Sequence, residues 1–141
     1  MEKKRVMVFG TFDLLHPGHL NFFRQAKKIG DFLIVSVGRD KNIKKFKGFL
    51  PVHKERIRLN NIKKLSVVNK AFLASLNNPW LHIMREKPAI IALGYDQKIY
   101  VDKGSIKRFK KLLVQKGLDC KVIRLKSFRP GVYKSSIIRK K

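Results

Sequence analysis

The apolar run at positions 6–9 stops at Gly10, a polar turn follows, and Leu20, Phe23, Ala26 and Ile29 then recur at helical spacing up to Gly30 and a second apolar run at positions 32–37. A strand, a helix and a strand in that order join two parallel strands through a crossover. Pro17 suits the first turn of the helix, where its missing amide proton costs little. Three more strand-like runs follow at 67–73, 89–93 and 121–125, separated by helical patterns at 54–65 and 105–115, the latter closed by Gly117. The alternation predicts an α/β chain: a single doubly wound, Rossmann-like domain over residues 1–141, with about five parallel strands and helices on both faces.

Charge limits the partners. Lys and Arg number 34 against 9 Asp and Glu, a formal +25 that attracts polyphosphates and polyanions. The basic residues are spread over nearly every segment, and no zinc-finger spacing, Walker A sequence or RNA-binding aromatic signature accompanies them. A nucleic-acid partner is therefore the alternative of a different class, resting on charge alone. No run approaches membrane-spanning length and the first strand begins at Val6, so no membrane association, no signal peptide and a cytoplasmic location are expected. Cys120 has no partner cysteine and reads as a buried or edge thiol.

In such a sheet, ligands collect beyond the carboxyl ends of the strands, where strand order reverses. Gly10-Thr11-Phe12-Asp13 follows the first strand, Gly38-Arg39-Asp40 the second, and Gly94-Tyr95-Asp96 the fourth. The densest signal is Gly10-Thr11-Phe12-Asp13-Leu14-Leu15-His16-Pro17-Gly18-His19, set between strand and helix. Gly10 and Gly18 permit close approach, amides at the helix start can receive phosphate oxygens, and two imidazoles three residues apart can donate to charge developing at phosphorus. The plainer readings are a turn or cap for Asp13 and solvated loop positions for the histidines.

These residues resemble the HxGH nucleotidyltransferase superfamily, whose hallmark matches His16-Pro17-Gly18-His19. The preceding Gly10-Thr11-Phe12-Asp13-Leu14-Leu15 is similar to its cytidylyltransferase-like branch, which includes glycerol-3-phosphate cytidylyltransferases and archaeal FAD synthases. The resemblance implies direct attack of an acceptor phosphate on a nucleotide α-phosphate, with pyrophosphate released and no covalent enzyme intermediate. It implies that His16 and His19 stabilise the transition state, that Gly10, Thr11, Phe12 and Gly18 lie along the nucleotide, and that Asp40 stands at the pocket edge. Lys44 and Lys47 are the preferred phosphate contacts in a lysine-dense connection, whose plain reading is a hydrated basic loop. Arg58 takes the family's arginine place better than Arg56 does, although either suits a solvated helix face. Gly94 and Asp96 match a Gly-x-Asp segment bordering the ligands, and Tyr133, Ser135 and Ser136 resemble a terminal phosphate-binding segment whose hydroxyls could instead cap a helix.

No His/Cys metal cluster is present in the sequence, so no metal-ligating residues are expected, and Mg²⁺ or another divalent cation is expected to accompany ATP. Pro88, Gly94-Tyr95-Asp96-Gln97 and Lys126-Ser127-Phe128-Arg129-Pro130 look more like the FAD synthase group, which implies ATP and FMN as substrates. CTP with glycerol 3-phosphate is the alternative, and Trp80, Phe128 and Tyr133 could help to cover a flavin or belong to an aromatic core. A homodimer is a further implication of the resemblance.

Overall fold

The computed structural model describes residues 3–95, 97 and 106–126. Strands β1 (Arg5–Gly10), β2 (Phe32–Val37), β3 (Lys70–Leu73), β4 (Ile90–Leu93) and β5 (Lys121–Arg124) form one sheet in the order β3-β2-β1-β4-β5. Every neighbouring pair is parallel, and β1 runs in register with β2 from Arg5 opposite Phe32 to Gly10 opposite Val37. Helices α1 (Pro17–Lys28), α2 (Asp40–Lys47), α3 (Glu55–Lys63), α4 (Leu81–Glu86) and α5 (Ile106–Gln115) lie between the strands in sequence.

Alternation along the strands divides the core into two layers. Val6, Val8, Leu33, Val35 and Val37 pack with Phe23 and Ala26 of α1 and with Leu59 and Ile62 of α3. Met7, Ile34, Ile91 and Leu93 pack with Ile83 of α4 and with Phe109 and Leu113 of α5. Helices on both faces bury both sides of the three central strands β1, β2 and β4, which is why these read as apolar runs. The expected Rossmann-like architecture is the one observed.

Two helices escaped the sequence reading. The lysine-dense connection after β2, whose plain reading is a hydrated basic loop, forms α2, whose only buried side chain is Ile43. One buried residue in eight leaves no apolar period to see. Gly48, at φ 83°, ends the helix in the left-handed conformation that glycine adopts without penalty. Helix α4 is too short, at six residues, to display periodicity. The third strand begins at Lys70 rather than 67, because Val68 closes a turn onto Leu65 and the Asn69 amide bonds to Leu33 at 3.0 Å before pairing starts.

At the amino ends of the strands, the Glu86 carboxylate is nearly buried and is held by Arg5, Lys70 and Arg85. This cluster ties α4 to β1 and β3 at the end remote from Gly10. Among the described residues no helix is long and apolar enough to cross a membrane. Cys120 is partly buried, as expected, and burial pushes its thiol pKa up to about 11. Phe23 has no solvent exposure between α1 and the sheet, so Phe23→Ala is expected to lower unfolding stability by about 3–5 kcal/mol in urea titrations.

Candidate active site

Strand order reverses at β1: β2 and β3 lie to one side, β4 and β5 to the other. The crevice rule therefore points to the carboxyl ends of β1 and β4. Two side chains not assigned roles from sequence hold these ends together. Gln97 donates from Nε2 to the Phe9 carbonyl at 2.6 Å and accepts the Gly94 amide at 3.0 Å, while Arg124 donates to the carbonyls of Gly94 and Gln97 at 2.6 and 2.9 Å. Gly94 thereby sits beside the end of β1, within reach of Phe22 on α1.

After β1 the chain turns sharply through Phe12, whose φ of 50° is rare for a residue with a side chain. Its ring folds back over Gly10, where a Cβ would stand 2.6 Å from the ring. Phe12 is only 6% exposed and packs against Phe23 at 4.9 Å and edge-on against His19 at 5.8 Å. Phe12 was expected along the nucleotide; the structure turns it inward, where apolar contact outweighs the backbone strain. Asp13 is neither a local turn residue nor a helix cap: its carboxylate accepts the amides of Val52 and His53, about 40 positions away, at 2.7 and 2.8 Å.

His16 caps α1, Pro17 opens it, and the His16 and His19 rings stack at 3.8 Å. The Gly18 amide donates to His16 Nδ1 at 3.1 Å, which leaves Nε2 as the protonated nitrogen of the neutral ring. The amides of His19 and Leu20 both bond to the His16 carbonyl. The expected cradle of helix-start amides is therefore not what the opening presents: Pro17 has no amide proton and the next three are satisfied within the helix. The Gly18 amide is engaged by the His16 ring, and the two imidazoles stand stacked at the start of the helix.

Burial lowers the pKa of His16, and burial assisted by repulsion from His16 lowers that of His19 to about 3, against an opposing hydrogen bond to the Leu14 backbone. Both rings are neutral at pH 7. Stacked rings could not share a charge cheaply without an anion beside them.

A second knot fixes the neighbouring loops. Arg58 has no exposed side-chain surface, and its guanidinium donates to the carbonyls of Thr11 at 2.8 Å and His53 at 3.0 Å and to Asp40 Oδ1 at 2.6 Å. Asp40 and Glu55, the first residues of α2 and α3, each accept the other's amide, at 3.1 and 3.0 Å, and Arg39 pairs with Glu55 at 3.0 Å. The solvated reading of Arg58 is thus overturned, and it braces the loop instead of presenting its charge to the crevice. Asp40 spends its carboxylate on the same knot. Arg56 is exposed. Lys47 Nζ reaches Thr11 Oγ1 at 3.0 Å, and Lys44 lies exposed on the same last turn of α2.

A family model described as Cytidylyltransferase-like matches residues 7–141. The chain belongs to the cytidylyltransferase-like family. It is 36% identical over 137 residues to the FAD synthase of Thermoplasma acidophilum, covering 97% of this chain and 92% of that protein. It is 42% identical over 133 residues to the FAD synthase of Archaeoglobus profundus, covering 94% and 81%. A crystal structure described as the lipopolysaccharide core biosynthesis protein of Thermoplasma volcanium is 34% identical, superposes with a TM-score of 0.82, and is covered to 99% by 90% of this chain.

Within this cytidylyltransferase-like fold, His16, His19, Gly10, Thr11, Lys47 and Gly94 converge on the β1–β4 end of the sheet, each through the bonds and contacts above. Asp96, Tyr133, Ser135 and Ser136, and Phe128 with them, lie outside the described residues. Trp80 belongs to the α4–α5 layer, stacked on Phe109 at 5.3 Å with Lys116 over its ring, so it does not cover a flavin at this opening.

Two outcomes follow for the site. Removing the guanidinium in Arg58→Ala strands the Thr11 and His53 carbonyls and the Asp40 carboxylate, and is expected to cost roughly 3 kcal/mol in denaturant unfolding, with Arg58→Lys restoring only part. His19 is harder to protonate in the folded chain than in the unfolded one, so the unfolded state binds more protons below pH 6.5 and stability falls from there towards pH 3. That acid-dependent loss is expected to be smaller in His19→Asn, and the His19 ring should stay neutral by NMR at pH 5.

Proposed function

We infer that this protein is an FAD synthase, an FMN adenylyltransferase that moves AMP from ATP to the phosphate of FMN and releases pyrophosphate, with residues 1–141 forming one nucleotidyltransferase domain. The observation that carries this reading is the stacked His16–His19 pair at the strand-order reversal of a chain that matches FAD synthases over nearly its whole length.

In this reading an oxygen of the FMN phosphate forms a bond to the α-phosphorus of ATP. The bond from that phosphorus to the bridging oxygen breaks, and the electron pair leaves with pyrophosphate. Charge grows on the phosphoryl oxygens as this happens, and His16 Nε2–H and the His19 ring are the donors that meet it. Neutral rings in the free protein gain from an arriving anion, which raises their pKa and strengthens the hydrogen bonds. Lys44 and Lys47, on the last turn of α2, supply mobile positive charge to the phosphates. Gly94 and Asp96 border the ligands, and Tyr133, Ser135 and Ser136 complete the triphosphate site. Arg58 and Asp40 act through the loop they brace, as positioning residues.

Among the described residues no group of three His, Cys, Asp or Glu side chains is placed to hold a metal ion, and Asp13 is committed to two amides. A divalent cation such as Mg²⁺ fits as a companion of ATP, held by phosphates and water, where it neutralises triphosphate charge. A cytoplasmic homodimer belongs to the same reading. A second acceptor class, glycerol 3-phosphate with CTP or another phosphate acceptor with ATP, would use the same histidine pair.

One assay separates them: ATP and CTP are each incubated with FMN, glycerol 3-phosphate and a sugar phosphate, and products are identified by mass. FAD and pyrophosphate should form only from ATP with FMN. His16→Ala and His19→Ala should each lower kcat by about 10²–10³-fold with the fold retained by circular dichroism. Turnover at the wild-type rate in either variant, or product only from another acceptor, would reject the assignment.

A further inference from the structure

We propose that the connection from α2 to α3 is the acceptor-binding platform: Phe46, Phe49, Leu50 and Val52 take up the flat apolar ring system of the acceptor while Lys44 and Lys47 hold its phosphate. The proposal rests on the nucleotidyl-transfer reading of the adjoining histidine site and adds the surface that selects the acceptor.

Nine large apolar side chains are exposed among the described residues, and five of them, these four and Ile57, fall between positions 46 and 57. Phe46 is 51% exposed, Phe49 46%, Leu50 55% and Val52 59%, so each keeps about half its surface in water. Scattered apolar residues need no explanation, but a cluster of them marks a contact surface.

The backbone beneath the cluster is clamped onto the loop that carries the histidines. Lys47 bonds to Thr11 at one end, and at the other the amides of Val52 and His53 bond to the buried Asp13 carboxylate. Thr11 and Asp13 are two residues apart, a span of at most about 7 Å. Residues 48–51 are therefore strung between two anchors on the stretch that leads to His16. Arg58, by holding the carbonyls of Thr11 and His53, ties the same two strands of chain from below.

Charge selects the occupant. Lys44, Lys45, Lys47, Lys54 and Arg56 are interleaved with the apolar side chains, and the nearby Glu55 is engaged by Arg39 and the Asp40 amide. Two copies meeting through this face would set these cations against one another in a chain already carrying +25. Apolar surface studded with ammonium groups instead complements an amphiphilic anion, a planar ring bearing a phosphate. A polyol phosphate would use the lysines and leave the apolar surface wet.

The test measures FMN binding by quenching of flavin fluorescence, together with KM for FMN and for ATP, in the wild-type protein, in a Phe49→Ser/Leu50→Ser double variant and in a Phe49→Tyr/Leu50→Met double variant. The serine variant is expected to weaken FMN binding and raise its KM by tenfold or more, with KM for ATP changed less than twofold and Tm unchanged, and the conservative variant should restore binding. FAD formation by the wild type with an unaltered FMN KM in the serine variant overturns the platform while leaving the enzyme reading intact. Loss of dimerisation in sedimentation, with FMN KM unaltered, overturns it in favour of an interface between copies. A wild-type protein that neither binds nor uses FMN overturns both.

Discussion

The guanidinium of Arg58 is the interaction on which the arrangement of this site depends. It is wholly buried, and it reaches the loop after β1, the start of α2 and the connection into α3 through three partners at 2.6–3.0 Å. Burying a cation is costly unless nearly all its donors are used, and a planar fork with fixed directions is the side chain that can use them on three separate segments at once. Around it, Asp40 and Glu55 exchange amide hydrogen bonds, so the amino ends of α2 and α3 are satisfied by each other. The Lys47–Thr11 and Asp13–Val52 contacts extend the same knot towards the histidines.

Rigidity of this kind matters because the chemistry assigned to the opening is mostly electrostatic. Donors that are already aimed need no reorganisation as charge develops. The histidine pair is aimed by local means: His16 is locked by the Gly18 amide, His19 by the edge of Phe12, and both by their mutual stacking. Phe12 can serve only because Gly10 lacks a Cβ. The lowered pKa of His19 has the same origin as its placement, since the apolar packing that orients the ring also withholds water from its charged form.

Much of the fold was legible in the residues. Among the described residues, all five strands and three of the five helices were visible because buried parallel strands and amphipathic helices write their burial as apolar runs and periods. Helices α2 and α4 were not, the one because only Ile43 of its residues is buried and the other because six residues cannot show a repeat. The histidine loop could be found from the chain because its residues are contiguous. Gln97 and Glu55 could not, because their roles consist of bonds to residues 88 and 15 positions away in sequence, and nothing local signals them.

Composition and order alone settle that the chain makes a parallel sheet with glycine-ended loops at one edge and an imidazole pair after the first strand, since these follow from periodicity and adjacency. Only three-dimensional packing decides which polar groups face the opening. It withdrew Phe12, the Gly18 amide and Arg58 into the structure, and it set Lys47 and the apolar side chains of residues 46–52 beside the loop. The reason is that orientation depends on competition among distant partners for each donor and each apolar surface, and that competition exists only once the chain is folded.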